Sequence, residues 1–500
     1  ISSNVFLPVK KKDVPVGATI TSSTWACKKK ANGTYRARLN CRGFLQIEGE
    51  HFDSSNIAAP VTNEMSVRTI LTLACMAGWS TYMLDVKGAF LLGEFEDGEQ
   101  IYMSVPEGFE EYYPADEVLF LLKTIYGTRQ AAMAFWREMN RAMKDMLQKR
   151  SVVDPCLFFR WTEHGLVVWL VWVDDCLCIG PEKAVRMSAE EMKKRFDCDD
   201  IGEVTEYVGC KVDHDKLNGS IKFTQPVMIQ SFSDEYKIEE AMKRPPKTPA
   251  EPGSVLPPAV PEDYVSQGDL TYYRSGVGRL LHMMRWSRPE IYSSVRELSR
   301  SLKGASPLHI KAMHRVMAFV VNSPLRGFVL KPKRRWNGKA DGLQFIISGE
   351  ADSDYAKDPV TRRSVSGNVT NLDGVVIIAK SIMQKTVALS VTESELMSGV
   401  SCAQDMLYEM RLLESIGLQV EKPMILRIDN KGAVDLANNW SCGGRTRHVK
   451  LNFLRELKEG GIIKTVWFPG WDNPADMFTK NLAGPDFSKH RETLFGNDEY

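Results

Sequence analysis

The chain has 500 residues, of which 43% are apolar and 25% are charged, and these ordinary globular values exclude a mainly disordered or fibrous protein. A chain of this length is too long for one hydrophobic core, so several domains are expected. Its 64 Lys and Arg residues nearly balance 63 Asp and Glu residues, and a net charge of +1 by itself argues against a polybasic binding protein. Ten cysteines without a CxxC pair argue against a disulfide scaffold or a zinc module.

Charged residues are nevertheless distributed unevenly along the chain, in basic and acidic segments. Residues 1–50 carry nine Lys or Arg and three acids, a net of +6, and residues 301–340 carry nine Lys or Arg and no acid. Residues 94–117 carry nine acids and no base. A charged run is most often only a solvated face, but two basic blocks in a neutral chain suit a polyanion that touches separated surfaces.

Hydrophobic periodicity predicts a mixed α/β region in the first half of the chain. In chain order, the predicted elements are a helix over 66–77, a strand over 80–86, a long amphipathic helix over 124–147, and strands over 165–173 and 176–179.

The second half begins after a proline-rich stretch. Seven prolines between residues 245 and 261 exclude a helix interior or a central strand there and predict a linker. Residues 272–321 predict mainly helices, and a compact α/β unit follows. The predicted elements of this unit are a strand over 343–351, a hairpin over 367–380, a helix over 392–416, and strands over 424–428 and 462–468.

Three aspartates interrupt the strand-forming runs of the first half. Asp85 lies at the end of the strand over 80–86, and Asp174 and Asp175 follow 89 residues later between two apolar runs. An isolated Asp-Asp pair is most simply an exposed hairpin turn. Together with a strand-end aspartate it indicates a site for two divalent ions about 3.5–4 Å apart, which activate a hydroxyl and stabilise a leaving phosphate. Mg²⁺ favours such sites, where a few carboxylates are completed by substrate phosphates.

A second set of acids, Asp352, Glu395, Asp429 and Asp476, follows at intervals of 43, 34 and 47 residues. Singly, each is more often a cap or a surface charge. Acids at the strand ends and helix starts of one small α/β unit can, however, converge at one edge of its sheet, and together they predict a two-metal nuclease site.

The details of this second set leave alternatives open. Thr392 is the predicted N-cap of the helix that carries Glu395. Asp354 and Glu393 lie within two residues of members of the set, and the alternative for them is a supporting role beside the metal-binding acids.

Several blocks, in matching order and spacing, resemble the reverse transcriptases of copia-type LTR retrotransposons, and the resemblance covers about residues 20 to 484. The blocks are ARLNCRGF at 37–44, LDVKGAFL at 84–91, IYGTRQA at 125–131, WVDD at 172–175, YRSGVGRLL at 273–281 and RPEI at 288–291.

The last part of the chain is similar to the ribonuclease H domain that follows these enzymes. The matching blocks are ADSDYA at 351–356, RRSVSG at 362–367, QKTVALSVTESE at 384–395, IDN at 428–430, RTRHV at 445–449 and PADMFTK at 474–480.

The resemblance implies roles for the polymerase residues. Asp85, Asp174 and Asp175 would hold the catalytic Mg²⁺ ions. Phe90 would screen the sugar of the incoming nucleotide by colliding with a 2′-hydroxyl; the simpler alternative is a core phenylalanine. The hairpin over 207–212 falls where the family places its primer-gripping hairpin.

Three further residues are implied to bind the nucleotide. Arg38 and Arg42 would grip the triphosphate, for which guanidinium groups are suited, although lone arginines are more often surface residues. Gln130 matches a glutamine near the nucleotide.

In the ribonuclease H region, the resemblance implies that Asp352, Glu395, Asp429 and Asp476 bind the metal ions. His448 would assist product release or proton transfer, although a lone histidine is more often structural.

Two departures from the family concern efficiency or fidelity rather than the reaction class. Trp172 stands where the family usually has tyrosine, and Ala132 stands where it usually has proline.

The resulting fold prediction is an α+β and α/β multidomain protein with right-hand polymerase fingers and palm, a helical thumb or connection region, and a ribonuclease H-like α/β domain. The predicted boundaries are fingers and palm over 1–244, the proline-rich linker over 245–262, thumb or connection over 263–340, ribonuclease H over 341–484 and a C-terminal tail over 485–500.

The predicted function is that of an RNA-directed DNA polymerase with ribonuclease H activity. Each site would use two Mg²⁺ ions, with Mn²⁺ as an alternative. The expected partners are an RNA template, a DNA or RNA primer, RNA–DNA hybrid, dNTPs and other Pol or Gag products of the element, without a membrane. The family implies cytoplasmic virus-like particles, with passage to the nucleus.

The sequence is also compatible with two other functions. One is a catalytically decayed or co-opted copy that only binds nucleic acid, and the other is a nuclease with an idle polymerase site. The presence of all seven acids favours the active enzyme.

Overall fold

Residues 166–172 of the apolar run lie in a central strand of the largest described sheet. The structure is a computed structural model that describes residues 4–29, 33–238, 244–439 and 449–496. The chain divides into two compact units. The first contains the residues up to Asn63 together with Ser80–Glu203, and the second contains Glu64–Trp79 and the residues from Val204 onward. Both contain helices and sheets, so the predicted mixed α/β multidomain fold is confirmed.

Helices and strands alternate along most of the described chain. The helices are α1 (Glu64–Ala77), α2 (Ala131–Asp145), α3 (Glu182–Arg195), α4 (Pro226–Tyr236), α5 (Gln267–Trp286), α6 (Tyr292–Ser299), α7 (Pro307–Val321), α8 (Val391–Ser415), α9 (Lys431–Asn438), α10 (Val449–Glu459), α11 (Asp476–Thr479) and α12 (Gly484–Phe495). The strands of the first unit are β1 (Phe6–Lys10), β2 (Ile20–Thr21), β3 (Ser23–Lys29), β4 (Tyr35–Cys41), β5 (Ser80–Val86), β6 (Tyr102–Met103), β7 (Glu117–Leu121), β8 (Lys149–Arg150), β9 (Leu157–Thr162), β10 (Gly165–Trp172), β11 (Asp175–Gly180) and β12 (Cys198–Glu203). Those of the second unit are β13 (Glu206–Tyr207), β14 (Cys210–Asp215), β15 (Ser220–Thr224), β16 (Phe328–Leu330), β17 (Gln344–Phe345), β18 (Ile347–Asp354), β19 (Val365–Leu372), β20 (Val375–Met383), β21 (Gln419–Val420), β22 (Met424–Ile428) and β23 (Ile463–Trp467).

The main sheet of the first unit has the strand order β12-β5-β11-β10-β9-β8. Helices α2 and α3 supply apolar side chains to its core, where Phe135 and Val185 cluster with the fully buried Trp169. A four-stranded sheet, β1-β7-β6-β2, and the two-stranded hairpin β3-β4 complete this unit.

The second unit contains a five-stranded sheet in the order β20-β19-β18-β22-β23. Strand β22 runs parallel to both β18 and β23, whereas β18, β19 and β20 are antiparallel. Helix α8 packs across β18 closely enough that a Cβ at Gly349 would come within 2.5 Å of Cys402 Sγ, so only glycine allows this approach. The predicted apolar face of α8 is buried, with residues Leu396, Val400, Ala403, Leu407 and Met410.

The predicted elements are largely present, and their ends differ for local reasons. Helix α2 begins at Ala131 rather than 124, because a turn with Gly127 at φ +86° precedes it. The N-cap of α8 is Ser390 rather than Thr392, since the Ser390 hydroxyl accepts the Glu393 N–H at 3.1 Å. Strand β18 continues to Asp354, so Asp352 lies inside this strand rather than beyond its end.

The proline-rich stretch forms neither an α-helix nor a strand, as its prolines predict. It does not separate the two units, however, because it is held within the second one. Gly253 N–H donates to Asn481 O at 2.7 Å, and Leu256 N–H donates to Glu297 Oε2 at 3.2 Å. The domain boundaries proposed from the sequence on either side of this stretch remain predictions. None of the described helices combines the length and apolar character that crossing a membrane requires.

Helix α1 belongs to the second unit although the chain returns to the first unit directly after it. Thr69 Oγ1 lies 2.8 Å from both carboxylate oxygens of Glu409 in α8, and Arg68 donates to Ile377 O in β20 at 2.9 Å. The α/β part of this unit is therefore completed by a helix from far upstream in the sequence.

Glu409 makes the second unit sensitive to pH. Burial raises the pKa of this carboxyl to about 8, while the Thr69 hydroxyl partly offsets the rise. The unfolded chain would lose the proton near pH 4.5, so folding retains a proton between about pH 4.5 and 8, and the free energy of unfolding falls as pH rises through this window. We expect Glu409→Gln to remove this loss and to stabilise the protein at pH 8 by on the order of 3 kcal/mol. Thermal unfolding of both proteins between pH 5 and 8 checks this, and parallel pH profiles would contradict it.

Candidate active sites

The main sheet of the first unit carries an acidic row across three neighbouring strands. Asp175 of β11 lies opposite Asp85 of β5, and Asp85 lies opposite Asp199 of β12. Directly opposed residues in antiparallel strands point to the same face, so these three side chains share one face. On the outer side of the row, Trp172 of β10 lies opposite Asp175.

Asp174 joins this row from the turn between β10 and β11. Its carbonyl oxygen accepts the Val86 N–H at 3.0 Å, which ties the turn to the end of β5. Val173, the residue before it, has φ +55°, a costly conformation for a β-branched residue. The structure thus brings Asp85, Asp174 and Asp175 to one place, half-buried, as the sequence predicts.

Electrostatic repulsion among these acids is visible in one of them. Burial, followed by the charges of Asp174 and Asp85, raises the pKa of Asp175 to about 6. A cation is the natural partner of carboxylates in this condition, because it removes both the burial cost and the repulsion.

Asp199 is an acid at this site that the sequence analysis missed. Lys87 Nζ lies 3.1 Å from Asp199 Oδ1 and 3.1 Å from Asp197 Oδ1, so the extra negative charge is compensated locally. In the sequence Asp199 lies in a short acidic run that resembles an exposed surface segment, and only the strand register places it opposite Asp85.

Three side chains in contact link the short 3-10 helix Ala89–Leu91, which follows β5, to the hairpin β3-β4. Phe90 contacts Tyr126 edge to face with ring centroids 5.2 Å apart, and the Arg38 guanidinium lies 4.8 Å from the centroid of the Tyr126 ring. Arg38 Nε is buried without a hydrogen-bond partner in the protein. The sequence analysis missed Tyr126, although it lies in the IYGTRQA block.

The other two predicted nucleotide-binding residues differ in exposure. Arg42 is exposed and reaches Ser22 Oγ at 3.4 Å. Gln130 is only 3% exposed; its amide donates to His51 O at 2.9 Å and accepts from Gln46 Nε2 at 2.9 Å. Because both ends of this amide are engaged by the protein, the structure gives Gln130 a supporting role in these loops rather than the predicted nucleotide contact.

The second unit brings three of its predicted acids together. Carboxylate oxygens of Asp352, Asp429 and Asp476 all lie within 4.8 Å of one another. Across residues 4–29, 33–238, 244–439 and 449–496, this is the one group of three or more His, Cys, Asp or Glu side chains with that spacing. The acids of the first unit are therefore more widely spaced than these three.

Strand register explains this convergence. Ala351 of β18 pairs with Ile428 of the parallel strand β22, so the next residues, Asp352 within β18 and Asp429 just after β22, lie side by side. Asp476 begins α11, and Asn473, just before it, donates to Ala351 O at 3.0 Å.

Glu395 is the fourth member of this acidic set. It is 3% exposed, and its Oε1 accepts the Ser353 N–H at 3.3 Å. Its Oε2 is buried and has no hydrogen-bond partner in the protein. Burial and the charges of Asp352 and Asp429 raise the pKa of Glu395 to about 9.

The neighbouring acids show the same effect. Burial and the charge of Asp476 raise the pKa of Asp352 to about 7, and burial and the charge of Asp352 raise the pKa of Asp429 to about 6. Lys480, missed by the sequence analysis, reaches Asp476 Oδ1 at 2.7 Å and Asp352 Oδ2 at 3.7 Å. Its four-residue spacing from Asp476 was the available sequence indication.

The two alternative acids have local partners. Asp354 forms an ion pair with Lys357 at 2.7 Å, and Glu393 accepts the Leu389 N–H at 2.7 Å at the start of α8. They therefore do not replace Asp352 or Glu395 in the acidic set. His448 lies outside the described residues.

Both groups of acids suit a hard divalent cation. Carboxylate oxygens are the ligands that Mg²⁺ and Mn²⁺ prefer, whereas softer metals prefer sulfur or imidazole. The buried, unpartnered Glu395 Oε2 and the raised pKa values of Asp175, Asp352 and Asp429 indicate acids whose negative charge the protein compensates only in part; in the second set, Lys480 supplies that part.

Comparison with known proteins identifies the class of the first half of the chain. Residues 6–250 match the family described as reverse transcriptase (RNA-dependent DNA polymerase), a family that uses divalent metal ions.

Similar proteins extend the match to nearly the whole chain. The Pol polyprotein from transposon TNT 1-94 of Nicotiana tabacum is 31% identical over 97% of this chain and 36% of its own length. Those from transposons RE2 and RE1 of Arabidopsis thaliana are 27% and 28% identical over 94% and 95% of this chain, and 31% of their own lengths. The chain thus belongs to the Pol polyproteins of copia-type retrotransposons, and it spans about a third of the length of these relatives.

Among solved structures, the foamy viral protease-reverse transcriptase is similar over most of the chain. Its complex with RNA/DNA hybrid gives a TM-score of 0.47 at 11% identity, covering 93% of this chain and 51% of that one. A double-stranded DNA complex of the same viral protein gives a TM-score of 0.48 at 10% identity, covering 92% and 66%.

Proposed function

We propose that this chain is an RNA-directed DNA polymerase that also cleaves the RNA strand of RNA–DNA hybrids. The observation that carries the polymerase proposal is the cross-strand approach of Asp85 and Asp175, with Asp174 in the adjoining turn, inside the segment that matches the reverse transcriptase family.

In the polymerase, Asp85, Asp174 and Asp175 would hold two Mg²⁺ ions. When bound, Mg²⁺ would supply positive charge at the attacking oxygen and at the leaving group, both here and in the nuclease. Arg38, held against Tyr126, and the exposed Arg42 offer guanidinium groups to the triphosphate. Phe90, in the short 3-10 helix Ala89–Leu91 that follows β5, contacts Tyr126 edge to face and would meet the sugar of the nucleotide.

The nuclease proposal rests on the second acidic set. Asp352, Asp429 and Asp476 converge within 4.8 Å, and Glu395 adds a buried oxygen without a partner. These four residues would hold the metal ions, whose positive charge would favour hydrolysis of the RNA phosphodiester. Lys480 keeps Asp352 and Asp476 in place through its ion pairs.

RNA–DNA hybrid would be recognised by its backbone and groove shape rather than by base sequence. The basic blocks at residues 1–50 and 301–340 supply positive charge for phosphate contacts. Binding should therefore weaken steeply as salt concentration rises. Primer extension on an RNA template, with dNTPs and Mg²⁺, tests the polymerase, and a chain that binds hybrid without extending the primer would instead be a nucleic-acid-binding protein.

Replacing Phe90 by alanine should relax the choice of sugar. Removal of the ring opens space for a 2′-hydroxyl, so we expect the preference for dNTPs over rNTPs to fall by roughly 10- to 100-fold. Single-nucleotide incorporation with dNTP and the matching rNTP measures this ratio. Phe90→Tyr keeps the ring and serves as the control; an unchanged ratio in Phe90→Ala would return Phe90 to a packing role against Tyr126.

Stabilisation by Mg²⁺ should depend on pH. The raised pKa values of Asp175, Asp352 and Asp429 mean that the metal-free fold loses stability as pH rises from about 4 through 6 to 7, because these acids then ionise without a cation. Metal ligands must be deprotonated, so protons compete with the metal at low pH. We expect Mg²⁺ to raise the unfolding temperature by several degrees at pH 8 and by much less at pH 5.5. Equal shifts at both pH values would contradict these assignments.

A further inference from the structure

Two exposed tryptophans lie beside the acidic set of the second unit. Trp467, the last residue of β23, is 50% exposed, and Trp471, four residues later, is 72% exposed. Tryptophan is highly buried on average in folded proteins, so two exposed indoles within five residues call for an explanation.

The first indole is connected directly to a member of the acidic set. Trp467 Nε1 donates to the carbonyl oxygen of Asp429 at 3.0 Å, and Trp467 stands in register with Ile428, the residue before Asp429. This bond uses the polar end of the indole and leaves its apolar face exposed in a defined orientation.

The second indole is carried by a well-anchored turn. Trp471 lies in the short 3-10 helix Gly470–Asp472, and Lys489 of α12 donates to Trp471 O at 2.9 Å and to Asp472 Oδ1 at 2.6 Å. The turn passes so close to the acids that a Cβ at Gly470 would lie 3.1 Å from Asp429 Oδ2. The exposure of Trp471 is therefore not that of a loosely held loop.

We propose that Trp467 and Trp471 form an aromatic contact surface for the RNA–DNA hybrid next to the cleaved phosphate. This inference rests on the proposed nuclease function. A phosphate held at Asp429 brings its neighbouring nucleotides alongside, because successive base pairs are only about 3.4 Å apart along a duplex. Indole faces suit the apolar faces of sugars and unstacked bases, and such stacking tolerates any sequence. The acids thus act on the phosphate, and the indoles position the nucleotides beside it.

Steady-state cleavage of a labelled hybrid by the full chain tests this surface. We expect Trp467→Ala with Trp471→Ala to raise KM by about tenfold, within the range of stacking losses, and to change kcat by less than about twofold. Trp471→Phe keeps an aromatic face and should stay near the wild type in KM. Trp161→Ala, which removes an exposed tryptophan from the first unit, is the matched control and should leave cleavage unchanged.

A measurement without turnover separates this inference from the nuclease proposal. Hybrid that carries 5-bromouridine within three nucleotides of the cleavage position is irradiated with the protein in EDTA, and the crosslinked residues are identified by mass spectrometry. We expect crosslinks at Trp467 or Trp471. A wild type that cleaves no hybrid would refute the nuclease proposal, and the crosslinks would then decide the inference alone. A KM within twofold of the wild type in the double variant would overturn the inference. So would a Trp471→Phe variant whose KM is as high as that of the double variant, or crosslinks only at other residues.

Discussion

Replacing Asp174 and Asp175 together by asparagine should abolish primer extension on an RNA template. Amides of the same shape remove two negative charges from the place where Asp85 and Asp175 oppose each other, and with them the means of holding divalent ions. Metal-derived charge stabilisation is worth several kcal/mol, so the extension rate should fall by about a thousandfold or more. A gel assay with a labelled DNA primer, dNTPs and Mg²⁺ measures the rate.

A third acid of the same row, Asp199, provides the control for this double variant. Asp199 shares the face of Asp85 but is compensated by Lys87, so Asp199→Asn should slow extension by less than about tenfold. Hybrid cleavage by the Asp174→Asn plus Asp175→Asn variant should stay close to that of the wild type. Extension that survives in this double variant would show that these aspartates do not carry the reaction.

Replacing Asp429 by asparagine should abolish cleavage of RNA in a hybrid while primer extension continues. Asp429 directly follows β22 beside Asp352 and offers an oxygen within 4.8 Å of both other clustered acids; among the described residues of this unit, no second group of three His, Cys, Asp or Glu side chains has that spacing. Loss of one ligand should lower the cleavage rate by about a thousandfold, again because several kcal/mol of charge stabilisation are lost. Release of a labelled RNA fragment measures the rate.

Asp435→Asn is the matched control for this change, because Asp435 is an exposed acid on the neighbouring helix α9. It should cleave hybrid at the wild-type rate. Cleavage that persists in Asp429→Asn would remove Asp429 from the site, and loss of extension in the same variant would indicate general damage to the fold instead.

The positions of the catalytic candidates follow mostly from local pattern. Apolar alternation places Asp85 at a strand end and Asp174 with Asp175 at a hairpin, because acids are tolerated there and not in the middle of buried strands. Strand register, which the sequence does not give directly, adds Asp199 to the same row. A shift of one residue would have turned that side chain to the other face.

Contacts between distant segments account for the structural features that the sequence patterns did not predict. Tyr126 meets Arg38 across 88 residues of chain, Gln130 is engaged by Gln46 and His51, and α1 completes a unit built largely from residues after 203. No local pattern encodes such pairings. The same holds for the proline-rich stretch, whose composition correctly excludes helix and strand but does not reveal its hydrogen bonds to Asn481 and Glu297.

The net charge of the chain is less informative than the positions of its charged residues. The value of +1 argues against a polyanionic partner only when the chain is taken as a whole. Separate basic blocks, and two acidic sets in which burial and neighbouring acids raise the pKa of Asp175 and of Asp352, describe a protein that concentrates charge where phosphate and cations would bind.

One reaction that follows both activities on one substrate tests most directly whether this chain holds two separate metal-dependent sites. A template RNA with one label and a DNA primer with another are incubated with the chain, dNTPs and Mg²⁺, and extension and RNA cleavage are read from the same samples. The wild type should extend the primer and cut the template, the Asp174→Asn plus Asp175→Asn variant should only cut a preformed hybrid, and Asp429→Asn should only extend. A wild type that binds the hybrid but does neither, or variants that lose both activities together, would contradict two separate metal-dependent sites in this chain.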